Sequence, residues 1–198
     1  MKFNIIHINE CDSTNAYLQR LVMEGEPQEG TVISTSFQTK GRGQLTNVWE
    51  AEAGQNILCS ILLRPTSLPI KSQFLISQAI SVAIVDVLNS YTDGFSIKWP
   101  NDIYYKEDKI AGILIENTLS SAGISTCIIG LGLNVNQQTF RSDAPNPISL
   151  FNIIGRETSV PELLQSILER FNKVYENYKA QIDTIQAHSV AAELFRLL

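Results

Sequence analysis

The chain has 198 residues, 44% hydrophobic and 18% charged, which is length and apolar content enough for one sizeable globular domain and too much for a disordered chain. A formal net charge of −5 excludes the overall basic field that nucleic-acid binding draws on, though not a local basic pocket. No stretch approaches the ~20 apolar residues of a membrane span, and polar residues interrupt the N-terminus too early for a secretory signal, so a cytoplasmic location is expected.

Residues 3–8 alternate loosely and read as a first strand. Asp12, Ser13, Thr14 and Asn15 then offer helix N-caps ahead of Tyr17, Leu18, Leu21 and Val22, an apolar set at helical spacing that Gly25 would stop. Residues 31–37 are rich in β-branched side chains and predict a strand, whereas 38–48 lack periodicity, contain Gly41 and Gly43, and predict a loop. A compact apolar run at 56–63 reads as a buried strand closed by Pro65 and Pro69. The spacing of Phe74, Leu75, Ala79, Val82, Ala83 and Val87 predicts a helix over 72–88. A short strand over 95–98 should end in a turn, Trp99-Pro100-Asn101-Asp102. Residues 103–105 and 109–116 read as a hairpin around Lys106-Glu107-Asp108. Strand structure is expected over 126–130 and 133–135, around a turn at Gly130–Gly132. A short helix at 150–154 should end at Gly155. A longer one should begin near Pro161 behind Ser159 and carry Leu163, Leu164, Ile167, Leu168, Phe171, Val174, Tyr175 and Tyr178, with the last residues to Leu198 also helical. One α/β domain of the α+β type, a mixed sheet flanked by helices, is the economical architecture.

Three stretches carry candidate chemistry. In Gln38-Thr39-Lys40-Gly41-Arg42-Gly43-Gln44 two glycines let backbone amides approach a ligand while a guanidinium supplies paired donors, which suits a phosphate. The pattern matches neither common nucleotide-loop motif, and alone it fits equally a surface loop with a solvated arginine. In Lys98-Trp99-Pro100-Asn101-Asp102 and Lys109-Ile110-Ala111-Gly112, two lysines and an aspartate could converge on one site, or simply decorate a hairpin. In Gly130-Leu131-Gly132-Leu133-Asn134, glycines in an apolar strand imply something packed close against the backbone, with Asn134 free to present an amide, or else a bulge with a structural asparagine. Cys11, Cys59 and Cys127 are too few and too far apart for a disulfide framework or a CxxC metal site, and His7 and His188 lie at opposite ends, so no protein metal site is expected.

Taken together, Ser13-Thr14-Asn15, Gly41-Arg42-Gly43 with Trp49 behind it, Lys98-Trp99-Pro100-Asn101-Asp102, Lys109-Ile110-Ala111-Gly112 and Gly130-Leu131-Gly132-Leu133-Asn134 stand in the order and approximate spacing of the biotin–protein ligase family, which this chain resembles from about Cys11 to Asn136. Lys-Trp-Pro-Asn-Asp followed by Lys-Ile-Ala-Gly is the specific part; the other pieces support it. The resemblance implies the class II aminoacyl-tRNA synthetase-like fold of biotin–lipoate ligase catalytic domains. It also implies a two-step activity: biotin and ATP form biotinyl-5′-AMP, and biotin then passes to a lysine of a biotin carboxyl carrier protein.

By the same resemblance Arg42, Lys98 and Lys109 neutralise the carboxylate and phosphates, and Asp102 orients or deprotonates the incoming amine. Ser13, Thr14, Asn15 and Gln38 meet the ureido ring of biotin. Gly41, Gly43 and Gln44 complete the loop over the adenylate, and Gly112, Gly130 and Gly132 bring backbone to the thioether side. Trp49 and Asn134 stack on and hydrogen-bond adenine. Mg²⁺ is expected with the nucleotide, and a homodimer through a sheet edge is a family possibility. The chain departs from many relatives in having Gln44-Leu45-Thr46-Asn47 where they place a further arginine and glycine, which bears on how tightly the loop retains the adenylate. No helix-turn-helix precedes Ser13, so a repressor role and a nucleic-acid partner are not expected. A catalytic domain over 1–185 followed by a tail at 186–198, with the SH3-like C-terminal domain of relatives absent or truncated, is the expected organisation. The rival expectations are a lipoate or octanoate ligase or transferase, and a biotin-binding protein without turnover.

Overall fold

Seven segments rich in β-branched and aliphatic residues join edge to edge in one sheet of order β1-β2-β3-β7-β6-β5-β4. They are β1 (Asn4–Cys11), β2 (Thr31–Gln38), β3 (Ile57–Leu63), β4 (Phe95–Lys98), β5 (Asp102–Tyr105), β6 (Asp108–Ser120) and β7 (Gly123–Leu133). The computed structural model describes residues 1–198 apart from 26, 45–46, 67, 122, 142–144 and 197–198, with backbone alone for 71 and 182–196. β1 and β2 run parallel, joined through helix α1 (Thr14–Glu24), as a parallel pair requires a crossover. Every other neighbouring pair is antiparallel. The remaining helices are α2 (Phe74–Leu88), α3 (Leu150–Ile154) and α4 (Val160–Arg196). The expected mixed sheet flanked by helices is what forms.

Strand alternation sorts side chains onto two faces. One face carries Val32, Ile57, Cys59, Ile61, Ala111, Ile113, Cys127, Ile129 and Leu131, and helices α2 and α4 close over it with Ile76, Ile80, Ile84, Leu164, Ile167 and Phe171 to make the main core. On the other face Ile33, Leu62 and Ile128 meet Leu18 of α1 in a smaller cluster. Only 11 residues long, α1 covers part of that face. Past its N-terminus the same face presents Ser60, Gly112, Leu114, Glu116, Gly130 and Gly132, where the candidate site lies.

β4 and α3 have the bounds that the sequence predicts, and Gly155 closes α3 in the left-handed conformation at φ 73°. Other edges move: β1 runs on to Cys11, α2 begins at Phe74 after a 3₁₀ turn (Ile70–Ser72), and Asp102 belongs to β5 instead of the turn before it. The expected strand over 133–135 ends at Leu133, and a larger correction concerns the expected turn at Gly130–Gly132. β7 runs straight through it, paired with β3 and β6 on its two sides. A glycine inside a strand signals either a turn or a close approach, and here it is the approach. The expected domain limit at 185 falls inside α4, where side chains from 182 onward lie outside the described residues. Among the described residues no helix is long and apolar enough to cross a membrane.

Candidate functional site

The first wall of the site is the N-terminus of α1. Ser13 caps the helix through its backbone with an extended conformation (φ −157°) and no side-chain cap. The capping job falls to Gln38 at the end of β2, whose Oε1 accepts from the Thr14 backbone N–H at 2.8 Å and from the Thr14 hydroxyl at 3.1 Å. Ser60 Oγ, from β3, lies 2.7 Å from Thr14 Oγ1 and also bonds Asn15 Oδ1. The Asn15 amide then donates to Glu116 Oε2 at 2.7 Å and to the Leu114 carbonyl at 3.3 Å. Ser13, Thr14, Asn15 and Ser60 are buried, which holds the centre of this network in a fixed geometry. Just outside it Arg20 holds the Asp12 carboxyl well below the usual carboxylate range, chiefly by a side-chain hydrogen bond.

The floor is glycine. On adjacent strands Gly112 and Gly132 pair directly, and the Trp49 indole lies across both. A Cβ on Gly112 would sit 3.0 Å from Trp49 Cζ3; one on Gly132 would sit 2.6 Å from Nε1 and closer still to Cε2. Gly130 leaves room for Asn15, since a Cβ there would be 3.0 Å from Asn15 Cγ and nearer to Oδ1. Gly41 makes way for the Trp49 carbonyl, 2.5 Å from its would-be Cβ, and Gly43 for Asn47. None of these five needs a positive φ; clearance is what selects glycine. The indole N–H of Trp49 and Oδ1 of Asn134 are buried and have no hydrogen-bond partner among the described residues. The Asn134 amide is pinned by donation to the Ile148 carbonyl at 3.0 Å.

The charges arrive from separate segments. Lys109 Nζ pairs with Asp102 Oδ1 at 2.8 Å, and Arg42 Nη2 with Glu116 Oε2 at 3.1 Å. Lys109 Nζ also stands 5.8 Å from the Trp49 ring centroid. A short strap fixes the Lys109 backbone: its N–H donates to the Asn146 carbonyl at 2.8 Å and its carbonyl accepts from Ile148 at 3.0 Å.

These walls enclose one cavity of about 570 Å³, the size of a small-molecule site. Ser13, Thr14, Asn15, Gln38, Arg42, Gly43, Gln44, Trp49, Asp102, Lys109, Gly112, Gly130, Gly132 and Asn134 all line it. Two expected residues do not. Gly41 shapes the loop from behind. Lys98 is exposed on β4, its Nζ 4.5 Å above the Tyr104 ring and donating to the Tyr104 hydroxyl at 3.3 Å, so it reaches the cavity only through Tyr104, which does line it. The expected convergence therefore holds for two of the three cations.

Sequence reasoning missed Ser60 and Glu116, which hydrogen-bond the Thr14–Asn15 cluster, and Tyr104, Phe140, Pro145 and Pro147, which line the cavity. Glu116 was legible in principle, because strand alternation from Gly112 through Leu114 brings it to the same face. It also missed Gln137, fully buried behind the site. Gln137 Oε1 accepts from the Glu52 backbone at 2.9 Å and from the Asn56 amide at 2.6 Å, tying the loop after Trp49 to the end of β7. Gln137→Leu strands those donors and is expected to cost about 1–3 kcal/mol, a fall of roughly 3–10 °C in melting midpoint for a domain of this size; thermal unfolding followed by circular dichroism checks it.

Comparison with known proteins places this geometry. Residues 8–134 match the model of the Biotin/lipoate A/B protein ligase family. The chain is 33% identical over 184 residues to the bifunctional ligase/repressor BirA of Bacillus spizizenii, covering 88% of this chain and 54% of that protein. It is 30% identical over 150 residues to the biotin–[acetyl-CoA-carboxylase] ligase of Mycobacterium tuberculosis, again covering 54% of that protein. The chain thus spans about half the length of the curated relatives it matches. Among solved structures, the biotin protein ligase from Aquifex aeolicus in complex with biotin and ATP superposes with a TM-score of 0.77 at 31% identity, covering 89% of this chain and 72% of that one.

Proposed function

We infer function from one premise: the chain belongs to the Biotin/lipoate A/B protein ligase family. Within it we propose an ATP-dependent biotin–protein ligase that forms biotinyl-5′-AMP and transfers biotin to a lysine of a biotin carboxyl carrier protein. The observation that carries this reading is that Lys109 and Arg42, from distant segments, line the same cavity as the Ser13-Thr14-Asn15 cluster. A ureido ring offers two N–H donors and a carbonyl, which suits the short polar side chains at the α1 end. The two cations suit the problem of joining a carboxylate to a triphosphate, where repulsion between anions is the barrier.

In the first step a biotin carboxylate oxygen attacks the α-phosphorus, the bond to the β-phosphate oxygen breaks, and pyrophosphate leaves. Lys109 and Arg42 hold the two anions together and spread the developing charge. In the second step the ε-amine of the carrier lysine attacks the acyl carbon, the carbon–oxygen bond to AMP breaks, and AMP leaves. Asp102, 2.8 Å from Lys109 Nζ, is placed to orient that amine and take its proton. Trp49, its indole packed on Gly112 and Gly132, is the surface on which adenine would stack, and Asn134 Oδ1 offers an unused acceptor. Lys98 contributes from the rim, through Tyr104. Among the described residues no group of three or more His, Cys, Asp or Glu side chains could hold a metal. Mg²⁺ is expected to arrive with the triphosphate, keeping most of its water shell.

The test is pyrophosphate release from ATP with biotin, lipoate and octanoate compared side by side. Release with biotin alone is the expected result. Release with lipoate or octanoate instead favours an acyl-chain ligase, and tight biotin binding without release favours a binding protein.

A further inference from the structure

A carboxylate beside a pocket meant for anions weakens that pocket, so Glu116 needs a reason to be there. Resting on the ligase reading above, we propose that Glu116 is a positioning residue that locks the Arg42 guanidinium to the N-terminus of α1, holding the charged part of the cavity at a fixed distance from its amide-lined end. A single oxygen makes the link: Glu116 Oε2 accepts from the Asn15 amide at 2.7 Å and from Arg42 Nη2 at 3.1 Å. Three segments far apart in sequence meet at that atom. Two of them are rigid. Asn15 is buried and anchored to Ser60 and the Leu114 carbonyl, and Glu116 stands on β6, an interior strand paired on both sides.

The third segment is a loop. Arg42 sits in a loop whose backbone meets the opposite limb through one isolated bridge, to Val48, and a few turn hydrogen bonds. Its long side chain would otherwise sample many rotamers. Engaging one Nη leaves the other nitrogens of the five-donor guanidinium for a ligand. The side chains are 44% and 28% exposed, and ion pairs so exposed add little to fold stability. Aim is what the contact contributes.

Three measurements on the full chain test this. The side-chain ¹⁵Nε signal of Arg42, compared between the wild type and Glu116→Ala, reads the lock without any turnover. It should be sharp and protected in the wild type and averaged in the variant. Pyrophosphate release should show a KM for biotin raised about tenfold in Glu116→Ala, with the KM for ATP changed less and the melting midpoint nearly unmoved; Glu116→Gln, which keeps a neutral acceptor, should recover most of the loss. In an Arg42→Ala background the effect of Glu116→Ala should shrink at least about threefold, because little is left to aim. An unchanged Arg42 signal overturns the proposal, as do additive effects in the two backgrounds, a lowered KM for biotin, or melting losses that track the activity losses. A wild type that releases no pyrophosphate with biotin overturns the ligase reading instead, and the Arg42 signal still decides the lock.

Discussion

Replacing Lys109 by alanine is expected to slow biotin-dependent pyrophosphate release by about 10²–10³-fold, the loss typical of removing one preorganised donor to developing charge. The melting midpoint should move by no more than about 4 °C, because a partly exposed pair contributes at most about 1 kcal/mol. The separation of the two effects follows from how Lys109 is held. Its backbone is fastened by hydrogen bonds to Asn146 and Ile148 at 2.8 and 3.0 Å, and alanine keeps both, so the strap and the start of β6 survive. What disappears is the ammonium, 28% exposed and paired with Asp102 at 2.8 Å. Single-turnover kinetics with a melting curve on the same preparation make the comparison. Activity and stability lost in equal measure would mean that the lysine is structural.

The second large effect is expected at Gly132. Its position in β7 is ordinary extended strand, without the positive φ that would itself exclude a side chain, so the backbone accepts alanine readily. The indole does not: the new Cβ would fall 2.6 Å from Trp49 Nε1 and closer to Cε2, which side-chain adjustment alone cannot absorb. Overpacking of this kind costs about 1–3 kcal/mol. The cheapest relief is for Trp49 to leave the floor, taking the adenine platform with it. Gly132→Ala should therefore raise the KM for ATP by about 10–100-fold, the equivalent of that energy in affinity, while the KM for biotin changes less. Gly25→Ala is the control, since a Cβ there meets nothing nearer than 3.9 Å and should leave both constants unchanged. If Gly132→Ala binds ATP normally, Trp49 is wall and not platform.

Much of the fold was legible locally. The bounds of β4 and α3 and the loop after β2 follow from β-branched runs, glycine stops and lost periodicity. What no local pattern reveals is which strands become neighbours. β6 lies between β5 and β7, and that pairing alone sets Gly112 beside Gly132 under a tryptophan more than 60 residues upstream of the first. The convergence of the site was therefore readable only from the resemblance of its motifs to a family. Ser60 escaped because one hydroxyl in an otherwise apolar strand looks incidental, although it faces the end of α1. Lys98 is the opposite case, a motif residue that does not itself line the cavity. It belongs to the motif, but β4 is the sheet edge, and an edge side chain has solvent on one side and here rests on Tyr104. The strand glycines were read both as a turn and as a sign of close packing. The second reading holds, because the bulky partner arrives from a loop that periodicity cannot place.

The most direct test is a crystal structure of this chain with biotin and ATP. The biotin ring is expected against Ser13, Thr14 and Gln38, with its carboxylate and the α-phosphate both within about 3 Å of donors on Lys109 and Arg42. Ligands bound elsewhere, or in this cavity with both cations turned away from them into solvent, would contradict that expectation.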